Sequence, residues 1–274
     1  MLRGRVVVVV IPARDEARFI GETVRSVPAW VDGIVVVDDG SRDGTGDLAL
    51  AEGRDVSLVR HDEARGVGAA IAAGYRRALA RGADVVAVMA GDGQMHPDDL
   101  EGLVAPVVDG RADYAKGNRL DHPDVVGTMP PQRLAASLVL SRLTALAVGL
   151  PRLRDSQSGY TAIGRQALTR VDLDAVWPGY GYPNDLLAAL VRAGLTSVDV
   201  VVRPVYRGEA SGLRPWHLAT IGWLLGRAYL RRITSSEGAG GQRRPSPPGA
   251  AARSTAPGTS RPRDDAAPAA PPPP

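Results

Sequence analysis

Cysteine is absent from this sequence, lysine is nearly absent, and no hydrophobic run is long enough to cross a membrane. Without cysteine there can be no disulfide bond, no thiolate metal site and no cysteine nucleophile. The apolar run within residues 1–11 is short, lacks a small-residue cleavage site and leads directly into polar residues, unlike a secretory signal. We therefore expect a cytoplasmic protein.

The chain has 274 residues, of which 44% are hydrophobic and 23% charged, a balance typical of a globular protein with a substantial core. Residues 235–274 differ, because they hold ten of the 22 prolines and almost no large apolar side chains, which predicts a disordered tail. This tail carries five arginines against three acidic residues and so accounts for +2 of the formal net charge of +3. The pI near 9.5 is thus no argument for nucleic-acid binding by the folded part, and we expect none.

Strands and helices alternate along the first third of the chain. Apolar runs predict strands over residues 5–11, 33–37, 56–60 and 84–89, with Pro12 ending the first. Apolar residues at helical spacing predict a helix over residues 17–27. A second helix is predicted to start at residues 43–45, and an alanine-rich helix is predicted over residues 66–81. This alternation predicts an α/β fold with one mostly parallel sheet flanked by helices, whose ligands bind beyond the carboxyl ends of the strands.

Three polar clusters follow these strands, at residues 14–16, 38–41 and 92–94. Each alone can be a helix cap or a turn, and Asp92 can simply precede a helix beginning at Pro97, but together they indicate a nucleotide site. Asp92 and Gln94 offer oxygen ligands two residues apart, which suits a hard divalent cation beside a diphosphate. Gly66 and Gly68 lack the third glycine of a dinucleotide fingerprint, so we interpret them as close helix packing on the sheet.

The three polar clusters belong to longer motifs: residues 11–16 read IPARDE, residues 37–45 read VDDGSRDGT and residues 89–97 read MAGDGQMHP. Together these motifs resemble those of family 2 glycosyltransferases, which have the GT-A fold. Downstream, KGNR at 116–119, Arg133, DSQSGY at 155–160 and GEAS at 208–211 are similar to the dolichyl-phosphate mannose and polyprenyl-phosphate glucose synthase branch. The resemblance covers residues 5 to about 215.

The resemblance implies a nucleotide-sugar donor, linked to GDP or UDP, and a divalent metal, Mg²⁺ or Mn²⁺. Asp92 and Gln94 match the metal motif, although its usual first aspartate is replaced by Ala90. We expect this loss of one anionic ligand to make metal binding depend on the nucleotide diphosphate. The residues expected by resemblance to bind substrate are Pro12, Ala13, Glu16, Asp39, Gly66, Asp92, Gln94, Ser158 and Arg207.

The same resemblance assigns Arg119 and Arg133 to the phosphate of a polyprenyl phosphate acceptor, because guanidinium groups pair well with phosphate oxygens. Ordinary surface or salt-bridged arginines remain an alternative. Asp185 matches the region of a catalytic base, or is a charge at a helix N-terminus. With Asp92 these are the expected catalytic residues of an inverting transfer; a hydroxyl acceptor, or a non-catalytic nucleotide-sugar binder, are the other possibilities.

Residues 216–233 predict an amphipathic helix with aromatic residues and flanking arginines. Its uncharged run is far shorter than the ~20 residues needed to span a bilayer, so we expect it to lie in the interface, on the inner face of the cell membrane. A last helix covering the sheet, or a dimer contact, is the alternative. The predicted units are therefore a domain over residues 1–213, this helix over 214–234 and the tail over 235–274.

Overall fold

A computed structural model describes residues 1–206 and 215–238, with the side chains of 215, 216 and 235–238 left aside. Arg207, residues 208–211 and most of the predicted tail therefore lie outside the described residues. A seven-stranded sheet forms the centre of the structure. Its strands are β1 (Val7–Ala13), β2 (Gly33–Asp39), β3 (Val56–His61), β4 (Val85–Val88), β5 (Tyr114–Asn118), β6 (Thr161–Gly164) and β7 (Ser197–Val201).

The sheet has the strand order β3-β2-β1-β4-β6-β5-β7, and β6 alone runs antiparallel to its neighbours. The predicted α/β fold with a mostly parallel sheet is confirmed. The prediction that Pro12 ends the first strand is wrong, because β1 continues to Ala13 with Pro12 paired opposite Val37. Pro12 is tolerated in the strand because proline lacks only the backbone N–H, and the Pro12 carbonyl still accepts a hydrogen bond from the Gly91 N–H at 3.2 Å.

Helices cover both faces of this sheet. They are α1 (Ile20–Ser26), α2 (Thr45–Leu50), α3 (Val67–Ala80), α4 (Leu100–Val108), α5 (Val125–Thr128), α6 (Pro131–Val148), α7 (Arg165–Arg170), α8 (Tyr182–Arg192) and α9 (Pro215–Gly238), with a 3₁₀ turn at Pro97–Asp99. Alternate residues of β1 enter opposite cores: Val7 and Val9 pack in one, Val8 and Val10 in the other. The continuous β-branched run of β1 is therefore buried on both sides.

Helix α9 packs against α6 and α8, away from the sheet. Ile221 and Leu225 are buried with Ala147 of α6, and Ala228 is buried with Ala188 of α8. Both α6 and α9 also expose large apolar side chains: Leu138, Val139, Leu143, Leu146, Leu218, Trp223, Leu230 and Ile233. No helix in the described part of the chain has the length and hydropathy needed to cross a bilayer.

Candidate active site

A cavity of about 500 Å³ lies at the carboxyl ends of β1, β2 and β4, where the sequence predicted a ligand site. We call it the donor cavity. Its lining brings together most of the predicted nucleotide-binding residues with several that were not predicted: Pro12, Ala13, Arg14, Glu16, Asp39, Gly66, Val67, Ala70, Ala90, Gly91, Asp92, Gly179, Tyr180 and His217.

Asp39, at the end of β2, is a carboxylate of the donor cavity held by three hydrogen-bonding partners. Its two oxygens accept the backbone N–H groups of Arg65 and Gly66 at 2.9 and 2.8 Å, and His61 Nδ1 lies 2.7 Å from Oδ1. Burial acts to raise the pKa of Asp39, but the hydrogen bonds from His61, Arg65 and Gly66 outweigh it and lower that pKa. Asp39 is thus a fixed anion whose remaining lone pair can accept one further hydrogen bond.

The rest of the VDDGSRDGT motif supports the first loop of the cavity. Ser41 Oγ accepts the Asp15 N–H at 3.0 Å, Asp43 accepts the Ala17 N–H at 2.9 Å, and Thr45 Oγ1 accepts the Glu16 N–H at 2.9 Å. Asp15 has a φ of 54°, a left-handed conformation that these bonds help to hold. The motif therefore fixes the backbone that carries Pro12 and Glu16.

The predicted metal loop follows β4 and contributes Ala90, Gly91 and Asp92 to the lining of the donor cavity. Asp92 lines the cavity, and its Oδ1 accepts the Gln94 N–H at 3.0 Å, which holds the turn closed. Gly91 sits against β1, where an added Cβ would lie 3.0 Å from the Ala13 Cβ. Within the described residues no group of three His, Cys, Asp or Glu side chains is arranged to hold a metal. The Asp92 carboxylate can supply an oxygen to a divalent cation that takes other ligands from a diphosphate, whereas Gln94 is outside the described lining of the donor cavity.

A second cavity, of about 620 Å³, runs between α6 and α9, and we call it the acceptor groove. Arg119, which follows β5, and Arg133, on the first turn of α6, lie in its lining beside Gln157 and Tyr180. The remaining lining is mostly apolar: Ala135, Ala136, Ser137, Val139, Leu140, Leu143, Leu218, Gly222 and Leu225. The groove thus combines two cations with a long hydrophobic wall.

Asp155 holds the Arg119 side chain in place through a bidentate salt bridge. The guanidinium donates from Nε and Nη2 to the two oxygens of this fully buried carboxylate, at 2.8 and 3.1 Å. Burial acts to raise the pKa of Asp155, but Arg119 and then Lys116 outweigh it and lower that pKa. The guanidinium of Arg133, by contrast, lies 4.7 Å from the centre of the Tyr206 ring. Arg119 is therefore salt-bridged as well as groove-lining.

Ser158, predicted to bind substrate, is buried and lines neither cavity within the described residues. Its N–H donates to Asp155 Oδ1 at 3.1 Å, and its carbonyl accepts from the Lys116 ammonium. The structure therefore places Ser158 behind Arg119. Gln157, from the same motif, is the residue that lines the groove, and its N–H also donates to Asp155 Oδ1, at 3.1 Å.

Asp185 also lies outside the described lining of both cavities. Its Oδ1 pairs with Arg227 Nη2 of α9 at 2.5 Å, and its Oδ2 accepts the Trp177 N–H at 2.8 Å. Trp177 in turn packs edge-on against Trp223 of α9, with ring centres 5.8 Å apart. Asp185 therefore joins α9 to residues 177–181, the loop that carries Tyr180.

Tyr180 and His217 were missed by reasoning from the sequence. Tyr180 lies on the 177–181 loop, His217 lies on the first turn of α9, and their rings stack with centres 4.2 Å apart at 7°. The glycines before α3 were the available signal: an added Cβ at Gly66 would lie 2.6 Å from the Pro178 carbonyl oxygen. The sequence pattern predicted that Gly66 and Gly68 let α3 pack closely on the sheet, but they pack against the 177–181 loop instead. Gly74 is the glycine of α3 that packs on the sheet, against Val10 and Val37.

The chain is similar to known proteins over most of its length. The family model described as glycosyl transferase family 2 matches residues 8–177. A UDP-N-acetylglucosamine–dolichyl-phosphate N-acetylglucosaminyltransferase of Methanococcus voltae is 31% identical over 75% of this chain and 88% of its own. An undecaprenyl-phosphate mannosyltransferase of Micrococcus luteus is 35% identical over 64% of this chain and 72% of its own.

The fold has solved counterparts with a nucleotide and a metal bound. Glucosyl-3-phosphoglycerate synthase from Mycobacterium tuberculosis, crystallised with Mn²⁺, UDP and glucosyl-3-phosphoglycerate, superposes with a TM-score of 0.57. It is 26% identical, and the match covers 86% of this chain and 81% of that one. The strand order, the site at the strand ends and the matched family model lead to one conclusion: the chain belongs to glycosyltransferase family 2.

Proposed function

We propose that this glycosyltransferase moves one sugar from a nucleoside diphosphate sugar to a polyprenyl phosphate, with inversion at the anomeric carbon. The observation that carries the proposal is the acceptor groove, whose apolar wall ends at two arginines next to the donor cavity. An isoprenoid chain needs such a wall, and a terminal phosphate needs such cations. Relatives whose names specify dolichyl-phosphate and undecaprenyl-phosphate support this acceptor class.

The donor nucleoside is assigned to the Asp39 side of the donor cavity. Pro12, Ala13 and Gly66 form close-fitting walls there, while Glu16 and Asp39 accept hydrogen bonds from the ribose or base. A buried carboxylate of this kind discriminates against ligands that have no N–H or O–H group to pair with it, because the carboxylate is then left without a hydrogen bond. This assignment keeps the diphosphate near Asp92.

Asp92 and Gln94 are assigned to the divalent metal, either Mg²⁺ or Mn²⁺. When bound, the ion neutralises charge on the departing nucleoside diphosphate. Ala90 lines the donor cavity at the position where the related branch has an aspartate, so the protein supplies a single carboxylate there. Diphosphate oxygens then complete the ligand set.

The acceptor phosphate is assigned to Arg119 and Arg133. A lipid monophosphate has a second pKa of about 6, so near neutral pH it is largely a dianion and attacks without losing a proton to a base. One phosphate oxygen forms the new bond to the anomeric carbon as the bond to the nucleoside diphosphate oxygen breaks. Asp185, bound to Arg227 and the Trp177 N–H, fits this chemistry as a positioning residue.

The exposed apolar side chains of α6 and α9 are assigned to the membrane interface. Leu146 and Leu230 are 63% and 59% exposed, a large area for apolar side chains to present to water. Arg142 and Arg231 are exposed on the same two helices, where they suit anionic headgroups. A peripheral position on the inner face of the membrane lets the lipid phosphate reach the groove from the bilayer.

The test is transfer of a radiolabelled sugar into organic-extractable lipid. Purified full-length protein is incubated with each of several UDP- and GDP-linked sugars, Mg²⁺ or Mn²⁺, and undecaprenyl phosphate. We expect one donor to yield a labelled lipid that mild acid cleaves, as expected of a glycosyl phosphate. Transfer to a saccharide hydroxyl with no labelled lipid would contradict the proposal, and so would nucleotide-sugar binding without any transfer.

A further inference from the structure

Tyr180 is the one residue in the described part of the chain that lines both the donor cavity and the acceptor groove. The other lining residues belong to one cavity or the other: Asp92 and His217 to the donor cavity, Arg119 and Arg133 to the groove. Tyr180 is 44% exposed and lines both cavities, so it is accessible to a bound ligand. Tyr180 therefore marks the place where the two cavities meet.

The position of Tyr180 is fixed on both sides. The preceding loop backbone is held by the Ala69 N–H, which donates to the Pro178 carbonyl at 3.1 Å, and by the Trp177 N–H on Asp185. One face of the ring stacks on His217 of α9. The loop hydrogen bonds and the His217 ring thus hold Tyr180 at the junction of the two cavities.

In-line transfer defines what must lie at this junction. The anomeric carbon is attacked by the acceptor phosphate on one side and loses the diphosphate on the other, so the sugar ring lies between the two anion sites. We propose that Tyr180 contacts this sugar and determines which hexose is transferred. The inference rests on the proposed function, because it takes the donor and acceptor sites from it.

The chemistry of a tyrosine suits this role. Its ring can pack on the apolar face of a pyranose, while its hydroxyl can hydrogen-bond to one sugar hydroxyl group. A site built to bond a particular hydroxyl rejects analogues that lack it or present it differently. The stacked His217 ring supports the tyrosine from behind and keeps it from turning away.

The experiment compares wild-type protein with Tyr180→Phe and Tyr180→Ala in two measurements. The first is kcat/KM for a panel of nucleotide hexoses that differ at one hydroxyl. The second is the Kd of the donor nucleotide sugar and of its nucleoside diphosphate alone, by calorimetry. Thermal unfolding confirms that the variants are folded, as an exposed side chain leads us to expect.

We expect Tyr180→Phe to change the ratio of kcat/KM between hexoses by tenfold or more. Tyr180→Ala should weaken nucleotide-sugar binding by at least fivefold and leave the Kd of the nucleoside diphosphate within twofold. Unchanged ratios between hexoses in an active enzyme overturn the inference. If wild-type protein transfers no sugar to lipid, the proposed function fails, but the binding measurement still tests the inference. If Tyr180→Ala changes the Kd of the nucleotide sugar and of the nucleoside diphosphate equally, or changes neither, the contact between Tyr180 and the sugar is refuted.

Discussion

At the scale of single residues, Ala90 is the position with the clearest chemical consequence. It faces the donor cavity with a methyl group where a second carboxylate is usual in the related branch, leaving Asp92 as the anionic member of the predicted metal pair. Affinity for a hard cation rises with the number of charged oxygen ligands. The diphosphate of the donor is therefore expected to be part of the metal site.

This argument predicts the behaviour of Mn²⁺ in calorimetry. Titrated into nucleotide-free protein, Mn²⁺ should bind weakly, and in the presence of UDP or GDP it should bind at least tenfold more tightly. Ala90→Asp restores an anionic ligand and should strengthen binding to the nucleotide-free protein by about tenfold. Tight binding to the nucleotide-free wild type would show that the assigned ligand set is incomplete.

Arg119 and Arg133 share a cavity but should respond differently to truncation. Arg133→Ala removes an arginine of the acceptor groove at little cost in stability, and should lower kcat/KM for the lipid phosphate about 10- to 100-fold, the equivalent of ~1.5–3 kcal/mol for a charged hydrogen bond. Arg119→Ala should also destabilise the fold by about 3–5 kcal/mol, because it leaves Asp155 buried without its cation.

Urea unfolding and steady-state kinetics on the two variants separate these effects. Arg152→Ala is the control, since Arg152 is exposed, is in the lining of neither cavity and is not assigned to the membrane surface. It should keep both stability and kcat/KM. Equal catalytic loss in Arg133→Ala and Arg152→Ala would mean that the effect comes from general surface charge.

Lys116 gives a pH dependence whose sign can be worked out. Burial lowers the pKa of this ammonium to about 8, against the opposing attraction of Asp155 and Asp199. The folded protein then holds fewer protons than the unfolded chain between pH 8 and about 10.5, so this group's contribution to stability rises with pH in that window. Relative to Lys116→Met, wild-type protein should gain about 2 kcal/mol between pH 7.5 and 9.5.

The sequence offers a direct measurement, because Lys116 is its one lysine. Protein labelled with ¹³C-lysine gives a single side-chain signal in NMR spectra, and its titration midpoint should lie near 8. A midpoint above 10 would mean that the buried carboxylates fully offset the cost of burial.

At the scale of helices and strands, the spacing of apolar residues along the sequence predicted the elements that depend on neighbouring residues. The β-branched run of β1 and the spacing of α3 depend on neighbouring residues, so both were located within a few positions. The pairing of residues 177–181 with the start of α3 joins segments more than 100 residues apart, which no local periodicity encodes. The acceptor groove was missed for the same reason, since α6 and α9 meet only in the folded chain.

The link between α8 and α9 predicts coupling between Asp185 and Arg227. Asp185→Asn and Arg227→Gln each leave a partly buried partner without its counter-charge, so each should lower stability by about 1–3 kcal/mol. The double variant should cost less than the sum of the two single ones. Additive losses in urea unfolding would indicate that the pair contributes little.

Asp185→Asn also tests whether Asp185 is a positioning residue or a general base. Because a phosphate dianion needs no base, kcat for transfer to lipid phosphate should fall no more than about tenfold, through a less firmly held 177–181 loop. A loss of 10² to 10⁴, the usual contribution of a general base, would contradict the positioning role.

At the scale of the whole molecule, the two cavities and the apolar surface form one continuous arrangement. The donor cavity opens at the strand ends, the acceptor groove begins beside it at Tyr180, and the two helices that form the groove also expose leucines. Under the proposed function, the lipid acceptor keeps its chain near the bilayer while its phosphate reaches the arginines, and the nucleotide sugar binds in the donor cavity.

This arrangement predicts membrane binding that depends on the α6 and α9 face. In flotation with vesicles containing anionic phospholipid, wild-type protein should rise with the lipid, whereas Leu146→Ser combined with Leu230→Ser should lose most of the bound fraction, because both exposed side chains lose apolar area. Leu48→Ser with Leu50→Ser, also exposed but on α2, is the matched control and should float like wild type. Equal flotation of both double variants would place the membrane contact on another surface of the protein.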